Sequence, residues 1–227
     1  MNARPRILVV DDDEQIRLFL RITLKAAGYQ TIEAADGRAA IEACTGRKPD
    51  LVLLDLGLPD ISGLDVIRAV RVWTQLPIIV LSVRSDEADK VAALDAGAND
   101  YVQKPFSTAE LLARTRASLR VYSGETTSPV IEAGALRIDV PAHEVRLGDV
   151  PIKLSPREFE LLLVLARAAG RVCTHRQLLA QVWGPAHSDD VQYLRVYVAQ
   201  LREKLGDTTG APKYIVNEPG IGYRLAV

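Results

Sequence analysis

Four strand-like segments in the first 105 residues end in side chains that phosphoryl chemistry uses. The segment ends carry Asp11-Asp12-Asp13, Asp55, Ser82 and Lys104-Pro105. Because the carboxyl ends of parallel strands share one edge of a sheet, we expect these side chains to meet in one crevice. Carboxylates, a hydroxyl and an ammonium in one crevice describe a magnesium-assisted phosphoryl site.

The coordination chemistry of Mg²⁺ suggests a role for each of these residues. Mg²⁺ prefers octahedral oxygen coordination and takes one or two carboxylates together with phosphate oxygens and water. The predicted ligands are Asp12 and Asp55 directly, Asp11 through water, and the backbone carbonyl near Gly57. Lys104 would neutralise the phosphoryl oxygens, and Ser82 would donate a hydrogen bond to one of them. Asp55 is left as the nucleophile that becomes an aspartyl phosphate.

The acidic run at residues 11–13 has a simpler alternative interpretation. Aspartates at a strand-to-helix junction are more often a helix N-cap and a partner of the helix dipole than a metal site. Asp55 argues for function, because it follows the apolar segment 51–54, which is typical of a central buried strand. Such a carboxylate has no helix to cap directly, so the other strand ends favour a functional site.

Short apolar runs alternate with amphipathic stretches from residue 7 to residue 120, which is typical of repeated βα units. The predicted strands are residues 7–10, 30–34, 51–55, 77–82 and 100–103, and the predicted helices are 14–27, 37–45, 63–71, 86–96 and 108–120. We therefore predict an α/β fold, a doubly wound (flavodoxin-like) domain with five parallel strands.

A second domain of different organisation is predicted after a linker. Residues 122–129 lack apolar periodicity and are rich in turn formers, so they separate domains at residues 1–121 and 130–227. In the second domain, strand signals at 136–138, 144–147 and 152–154 precede three helices, and a hairpin pattern covers 214–225. Capping boxes begin at Ser155 and Thr174. The order predicts an α+β module with a helix-turn-helix.

Composition limits the possible partners and compartment. The chain has 227 residues, a formal charge of -1, and no apolar run long enough to span a bilayer, so we expect a cytoplasmic protein. The near-neutral charge means that nucleic-acid binding must come from local clusters of basic residues. Cys44 and Cys173 are expected to be buried free thiols, and a zinc site is not expected from the histidine spacing.

Four motifs of the first domain resemble those of a known family. Residues 5–121 resemble the receiver domain of two-component response regulators, through Val10-Asp11-Asp12, Leu54 to Pro59, Leu81-Ser82 and Tyr101 to Phe106. The resemblance implies phosphorylation of Asp55 by a sensor histidine kinase, and a cis Lys104-Pro105 peptide. It further implies that Ser82 and Tyr101 form a switch pair; a half-buried strand aromatic is the alternative for Tyr101. Val83 replaces the usual alanine, which predicts an altered rate of phosphorylation or dephosphorylation.

Charged residues of the fourth and fifth helices and fifth strand resemble a dimerisation face of the OmpR-like subfamily. The resemblance implies that Lys90 pairs with Glu110, and Asp100 with Arg114, across a twofold axis. A third pair usual in that subfamily is absent, because Asn99 and Val121 occupy its positions. Solvated helix charges that contribute little are the alternative for the four charged residues.

The third helix of the second domain combines an apolar stripe with a polar face. Residues 191, 194, 198, 201 and 205 form the stripe, and the predicted DNA contacts are Gln192, Tyr193, Arg195, Tyr197, Gln200, Arg202 and Lys204. Residues 130–227 resemble the winged-helix output domain of the same OmpR-like subfamily. The resemblance implies that 189–205 is the recognition helix, that Arg224 on the wing contacts DNA, and that the loop 184–190 contacts RNA polymerase.

The preferred hypothesis is a response regulator that dimerises and binds promoter DNA once Asp55 is phosphorylated. A finer resemblance, in residues 55–60, 71–73, 193–197 and 218–224, indicates the branch that regulates high-affinity potassium-transport operons, with a different operon as the alternative. A phosphatase with an aspartyl-phosphate intermediate is the competing enzyme class, but it usually needs a second acid where Gly57 stands. A protein-interaction module without DNA binding is a third possibility, which leaves the polar face of residues 192–204 unexplained.

Overall fold

The chain forms two compact units, Met1–Tyr122 and Ser123–Val227. The computed structural model describes residues 4–83, 87–122, 129–207 and 212–226. Residues 123–128 of the predicted linker lie outside this part, so the linker bounds remain a prediction. No helix within the described ranges is both long enough and apolar enough to cross a membrane.

The first unit is a five-stranded parallel sheet with the strand order β2-β1-β3-β4-β5. The strands are β1 (Arg6–Val10), β2 (Gln30–Ala34), β3 (Leu51–Asp55), β4 (Ile78–Ser82) and β5 (Asp100–Gln103). The helices are α1 (Glu14–Ala26), α2 (Gly37–Gly46), α3 (Gly63–Arg71), α4 (Glu87–Asp95) and α5 (Thr108–Tyr122). The predicted doubly wound fold is confirmed, and each described strand begins within one residue of its predicted start.

The core of this unit explains why the strands are arranged in this way. Every residue of β3 and β4 is buried, as expected for central strands covered by helices on both faces. The chain order reverses between β1 and β3, which are hydrogen-bonded neighbours. At such a switch point the connections leave in opposite directions and open a crevice at the carboxyl edge of the sheet.

A close approach between α3 and the end of β3 requires glycine at position 63. A Cβ atom added to Gly63 would lie 2.6 Å from the carbonyl oxygen of Asp55. Ser62 caps the helix, and its side chain accepts a hydrogen bond from the backbone N–H of Leu64. The loop between Asp55 and α3 is therefore held tightly against the strand that ends in Asp55.

The described residues of the second unit form two antiparallel sheets and three α-helices. A four-stranded sheet is formed by β6 (Val130–Ala133), β7 (Leu136–Asp139), β8 (Glu144–Leu147) and β9 (Val150–Ile152). The helices are α6 (Pro156–Arg167), α7 (His175–Trp183) and α8 (Val191–Leu205). The second sheet has the order β10 (Cys173–Thr174), β12 (Gly222–Leu225), β11 (Ile215–Glu218). This is the predicted α+β winged-helix arrangement.

Two strands were not predicted from the sequence, β6 and the two-residue β10. Both depend on a partner: β6 pairs with β7, and β10 pairs with β12. The β10 pairing is so close that a Cβ on Gly222 would lie 1.9 Å from the carbonyl oxygen of Cys173. The two residues of β10 carry no detectable periodicity of their own, so only the tertiary pairing defines that strand.

Both cysteines are buried free thiols, as predicted. Burial raises the pKa of the Cys44 thiol to about 11, and that of Cys173 also to about 11. Because the thiolate is the reactive form, neither residue is suited to redox chemistry near neutral pH.

Candidate functional site

Three charged groups meet at the carboxyl edge of the parallel sheet. The ammonium nitrogen Nζ of Lys104 lies 2.7 Å from Asp11 Oδ2 and 2.6 Å from Asp55 Oδ1. Asp11 follows β1, Asp55 ends β3, and Lys104 follows β5. The peptide bond from Lys104 to Pro105 is cis. Ser82 at the end of β4 is buried, and its carbonyl accepts a hydrogen bond from the Lys104 backbone N–H at 2.8 Å. The structure thus brings these four predicted residues to one edge.

This cluster has more acidic than basic groups. Asp11 and Asp55 are 1% and 8% exposed, and they share a single ammonium. Burial raises the pKa of Asp11, although its hydrogen bond from Lys104 acts in the opposite direction. Burial also disfavours the Lys104 ammonium, but the two carboxylates outweigh this effect and raise the pKa of Lys104. The lysine stays charged, and the shared ammonium leaves one negative charge without a partner when both carboxyls are ionised.

The loop after β3 orients Asp55. The backbone N–H of Gly57 donates to Asp55 Oδ2 at 2.6 Å, so each carboxylate oxygen of Asp55 has a defined donor. Farther along the loop, Asp60 accepts hydrogen bonds from the backbone N–H groups of Gly37 and Arg38 at 2.8 and 2.9 Å. The bond from Gly37 is the main reason why the pKa of Asp60 is lowered. The loop is therefore fastened to the first turn of α2.

The acidic run divides into residues with different roles. Asp13 is the N-cap of α1 and accepts a hydrogen bond from the Gln15 backbone N–H at 2.8 Å. Asp11 Oδ1 accepts a bond from the Asp13 backbone N–H at 3.1 Å, while Asp12 is exposed to solvent. The capping interpretation therefore holds for Asp13, and Asp11 points into the buried cluster.

The donor set of the crevice fits Mg²⁺. No three His, Cys, Asp or Glu side chains within the described ranges are close enough to form a metal site by themselves. The crevice instead offers the oxygens of Asp11 and Asp55, with Asp12 next in the chain, and a negative charge that Lys104 does not balance. This agrees with a cation that takes one or two carboxylates and completes its shell with water and phosphate oxygens.

Residues of α4, β5 and α5 form charge contacts within the chain. Lys90 Nζ lies 5.7 Å from the centroid of the half-buried Tyr101 ring, a cation–π distance. Arg114 Nη1 donates to both carboxylate oxygens of Asp100 at 3.0 Å, and its Nη2 lies 3.1 Å from Glu110 Oε1. The pairing of Arg114 with Asp100, predicted across a twofold axis, thus exists here within one chain.

Asn99, which occupies the acidic position of the third pair that is absent here, makes hydrogen bonds within the first unit. Its Oδ1 accepts hydrogen bonds from Arg71 Nη2 and from the Ile78 backbone N–H, both at 2.8 Å. Arg71 Nε also donates to the Gly97 carbonyl at 2.9 Å. An asparagine here therefore joins the end of α3 to the turn before β5. The side chain of Val121 lies outside the described part of the chain.

Two surface features near the crevice involve exposed apolar side chains. Val83, just after Ser82, is 72% exposed and points largely into solvent. On α1, Leu18, Phe19 and Ile22 are 42%, 46% and 60% exposed, while Leu20 and Leu24 are buried. This α1 stripe is not among the residues predicted from the sequence. The sequence did contain a signal for it, because the apolar residues of α1 cover a wider part of the helix surface than a single core-facing stripe requires.

In the second unit, α8 packs by the predicted stripe. Leu194, Val198, Leu201 and Leu205 are at most 2% exposed, and Val191 is partly buried. Two of the predicted DNA contacts on this helix, Tyr197 and Arg202, are partly buried. The others are exposed: Gln192, Tyr193, Arg195, Gln200 and Lys204. A turn of 3₁₀ helix, Pro185–His187, joins α7 to α8.

Several predicted DNA contacts have partners inside the unit. Arg202 donates to the Ile215 carbonyl at 2.7 Å, Lys204 Nζ lies 2.6 Å from Glu158 Oε2, and Arg224 Nε lies 2.6 Å from Glu218 Oε1. Glu158 also receives the Ser155 backbone N–H in the capping box of α6. Burial raises the pKa of Glu158, but Lys204 and Ser155 outweigh it, so the pKa is lowered. These contacts hold α8 and the wing in place.

Tyr193 and Tyr197 belong to an aromatic cluster with Trp183. The ring centroids lie 5.0 to 5.4 Å apart in edge-to-face arrangements, and the two tyrosine hydroxyls are 3.2 Å apart. Trp183 Nε1 is buried without a hydrogen-bond partner within the described ranges. A cavity of about 660 Å³ lies beside this cluster, and residues 187 and 189–192 contribute to its lining.

Comparisons with known proteins agree with both units. Residues 7–116 match the model of the response regulator receiver domain, and residues 149–225 match that of the C-terminal domain of transcriptional regulatory proteins. The transcriptional regulatory protein KdpE of Mycobacterium tuberculosis is 47% identical over 96% of this chain and 97% of its own. The KDP operon transcriptional regulatory protein KdpE of Escherichia coli has the same identity and coverage. The DNA-binding response regulator MtrA of Mycolicibacterium smegmatis is 42% identical over 98% of this chain and 97% of its own.

Among solved structures, the response regulator DrrB of Thermotoga maritima, an OmpR/PhoB homologue, is similar over nearly the whole chain. It has a TM-score of 0.52 at 30% identity, and the match covers 99% of this chain and 100% of that one.

Proposed function

Because the chain belongs to the response regulators of the OmpR/PhoB type, we propose that phosphorylation of Asp55 switches its binding to promoter DNA. Proteins of this type are DNA-binding transcription factors, not enzymes. The observation that carries the proposal is the sharing of one partly buried lysine by Asp11 and Asp55, in a chain that also has a helix-turn-helix.

The crevice suits transfer of a phosphoryl group from a phosphohistidine of a sensor kinase. An Asp55 carboxylate oxygen attacks phosphorus, the bond from phosphorus to the imidazole nitrogen breaks, and the released imidazole takes a proton from water. Lys104 balances charge on the phosphoryl oxygens, and Ser82 donates a hydrogen bond to one of them. Bound Mg²⁺ would neutralise phosphoryl charge, held by Asp11, Asp12, Asp55 and the carbonyl near Gly57.

The exposed stripe on α1 offers a docking surface for the kinase. Leu18, Phe19 and Ile22 form an apolar strip on the helix that starts directly after the acidic run. A partner that packs there would place its own phosphohistidine near Asp55. Apolar side chains at half exposure contribute affinity because docking removes them from water.

Dimerisation would follow from changes at the α4-β5-α5 face. Inward movement of Ser82 and Tyr101 would remove the ring that Lys90 contacts, which leaves the ammonium available for Glu110 of a second copy. Arg114 would exchange its intrachain contact with Asp100 for the same contact in that second copy. The exchange conserves the number of ion pairs, so a small bias at Asp55 can shift the equilibrium.

DNA binding would use α8 and the wing. The exposed residues Gln192, Arg195 and Gln200 suit base edges in the major groove, and Arg224 suits a phosphate or the minor groove. Tyr193, Tyr197, Arg202 and Lys204 would support the helix, and their outer atoms would contact backbone phosphates. Because the chain is close to neutral, pairing of two copies on adjacent half-sites would supply much of the affinity.

The target and the polymerase contact are proposed from the relatives. The KdpE of Escherichia coli is a regulator of the KDP operon, and its 47% identity supports a high-affinity potassium-transport operon as the target here. The segment from Gly184 to Asp190 borders the aromatic cluster and the cavity beside it, and would contact RNA polymerase.

The proposal is tested by phosphodonor-stimulated DNA binding. Purified protein is treated with phosphoramidate and Mg²⁺, and its affinity for the promoter fragment of a potassium-transport operon is measured against salt concentration. We expect phosphorylation to tighten binding at least about tenfold, with Asp55→Asn insensitive to the donor. Asp65→Asn, which changes an exposed carboxylate on α3, serves as the control. Full stimulation of Asp55→Asn would refute the switch.

A further inference from the structure

Two large hydrophobic side chains of α8 are exposed within the described residues, Val196 at 52% and Tyr193 at 46%, and Val196 is the aliphatic one. The buried residues Leu194, Val198, Leu201 and Leu205 lie on one side of the helix. At about 100° per residue, Val196 falls roughly opposite their centre. Val196 is therefore the large aliphatic side chain of α8 that points most directly away from the buried stripe, and it was not among the predicted contact residues.

The two flanks of α8 are occupied by contacts within the unit. On one flank, Tyr193 and Tyr197 pack on Trp183, and Lys204 binds Glu158. On the other flank, Arg202 binds the carbonyl of Ile215. The central strip between them, which contains Val196, is the part of the helix that can enter a groove most deeply.

Within one turn, the neighbours of Val196 on this strip are uncharged or basic, and the exposed Glu203 lies two turns farther along the helix. One turn before it lies Gln192 and one turn after it lie Ala199 and Gln200, all exposed, with Arg195 adjacent. The small Ala199 side chain leaves space beside Val196. An isolated exposed valine is common on protein surfaces, but this one stands among groups that hydrogen-bond base edges.

The major groove offers one apolar group to such a side chain. Thymine presents its 5-methyl group there, whereas the other bases present hydrogen-bond donors and acceptors. We propose that Val196 is a specificity-determining residue that packs against the 5-methyl group of a thymine in each half-site. The inference rests on the proposed function and adds which base the helix selects.

The test uses duplexes chosen by the protein itself. The phosphorylated full-length chain selects binding sites from a pool of duplexes with a randomised core. The selected duplex is resynthesised with deoxyuridine in place of each thymidine in turn, which removes one methyl group and keeps all base pairing. We expect wild-type affinity to fall about three- to fivefold at one thymidine of each half-site, the value of one buried methyl group.

Two valine variants complete the test. Val196→Ala is expected to bind the thymidine and deoxyuridine duplexes within about 1.5-fold of each other at that position, because its partner for the methyl group is gone. Val150→Ala removes a valine of similar exposure, 61%, from β9 of the same unit and should retain the wild-type discrimination. Alanine is a good helix former, so Val196→Ala is expected to fold.

The outcomes separate the inference from the function on which it rests. If no duplex is enriched, both fail. If duplexes are enriched but no thymidine is distinguished from deoxyuridine, or if Val196→Ala distinguishes them as the wild type does, the role of Val196 is refuted and DNA binding stands. Loss of discrimination in Val196→Ala alone supports the proposal.

Discussion

Each unit contains a buried carboxylate that contacts a lysine. The pKa values of these two carboxylates are shifted in opposite directions. Asp11 is 1% exposed and 2.7 Å from Lys104, and Glu158 is 2% exposed and 2.6 Å from Lys204. Burial dominates for Asp11 and raises its pKa, whereas Lys204 and the capping box lower the pKa of Glu158. Similar distance and burial therefore do not imply a similar role.

Burial is the largest cause of the raised Asp11 pKa, and the two sites differ further in how many acidic groups share the cation. Lys104 serves both Asp11 and Asp55, so the cluster stays short of positive charge. Lys204 serves Glu158, which in addition accepts the Ser155 backbone N–H. A cluster with an excess of negative charge can bind another cation. The balanced pair of Lys204 and Glu158 instead connects α8 to α6.

The largest expected effect comes from removing the shared lysine. Lys104→Met should slow phosphorylation of Asp55 by phosphoramidate by about 100-fold or more, because a preorganised cation at the phosphoryl oxygens is lost. Lys204→Met should leave this rate unchanged. Mass spectrometry of the intact protein at timed intervals measures the phosphorylated fraction. Equal rates in the two variants would contradict the distinction between the two lysines.

Binding of Mg²⁺ should depend on the negative charge of Asp11, which Lys104 does not fully balance. At a Mg²⁺ concentration of 100 times its Kd, the first unit should gain about 2.7 kcal/mol of unfolding free energy. Asp11→Asn should lose most of this gain, and Glu158→Gln should keep it. The chain has two tryptophans, Trp73 and Trp183, so urea unfolding followed by fluorescence has one reporter in each unit. A Mg²⁺ response of Asp11→Asn equal to that of the wild type would contradict the assignment.

The receiver crevice could be predicted from the sequence because topology determines it. Once β1, β3, β4 and β5 are recognised, the parallel arrangement brings Asp11, Asp55, Ser82 and Lys104 to one edge whatever the details of packing. The separate roles of Asp11, Asp12 and Asp13 could not be predicted. It depends on whether each carboxylate turns to the helix, as Asp13 does, or to the interior.

The face of α8 was harder to predict because tertiary contacts decide which polar side chains remain available. The partners of Lys204, Arg202 and Arg224 lie on other elements, at Glu158, Ile215 and Glu218. Helical periodicity separates the buried stripe from the rest, but it cannot distinguish the flanks from the central strip. Val196 was not predicted as a contact residue because a valine in a helix is first assigned to the hydrophobic core.

A moderate loss of stability is expected when the balanced pair is broken. Lys204→Met leaves the buried Glu158 without its cation and should destabilise the second unit by about 1–2 kcal/mol. The value is at the low end for a buried partner, because the Lys204 side chain is 40% exposed and solvent screens the pair. Lys153→Met, at an exposed lysine of the same unit, is the control. Urea unfolding at pH 7 measures both, and equal midpoints would contradict the structural role of the pair.

The smallest effect is expected in the pH dependence of stability. The two carboxylates should change the unfolding free energy with pH in opposite directions. The pKa of Glu158 is lowered from 4.5, so its contribution to stability is present above pH 4.5 and is lost as the pH falls through the lower value of the folded state. Glu158→Gln should therefore flatten the acid limb of the urea midpoint of the second unit.

Asp11 gives the opposite slope in the first unit. Its pKa is raised, so the folded state holds the proton more tightly than the unfolded state does, and stability falls as the pH rises above the ordinary value of 3.8. Without Mg²⁺, Asp11→Asn should lose this decrease and become more stable than the wild type toward neutral pH. Parallel pH profiles for the two carboxylate variants would show that the sharing of Lys104 does not distinguish the two sites.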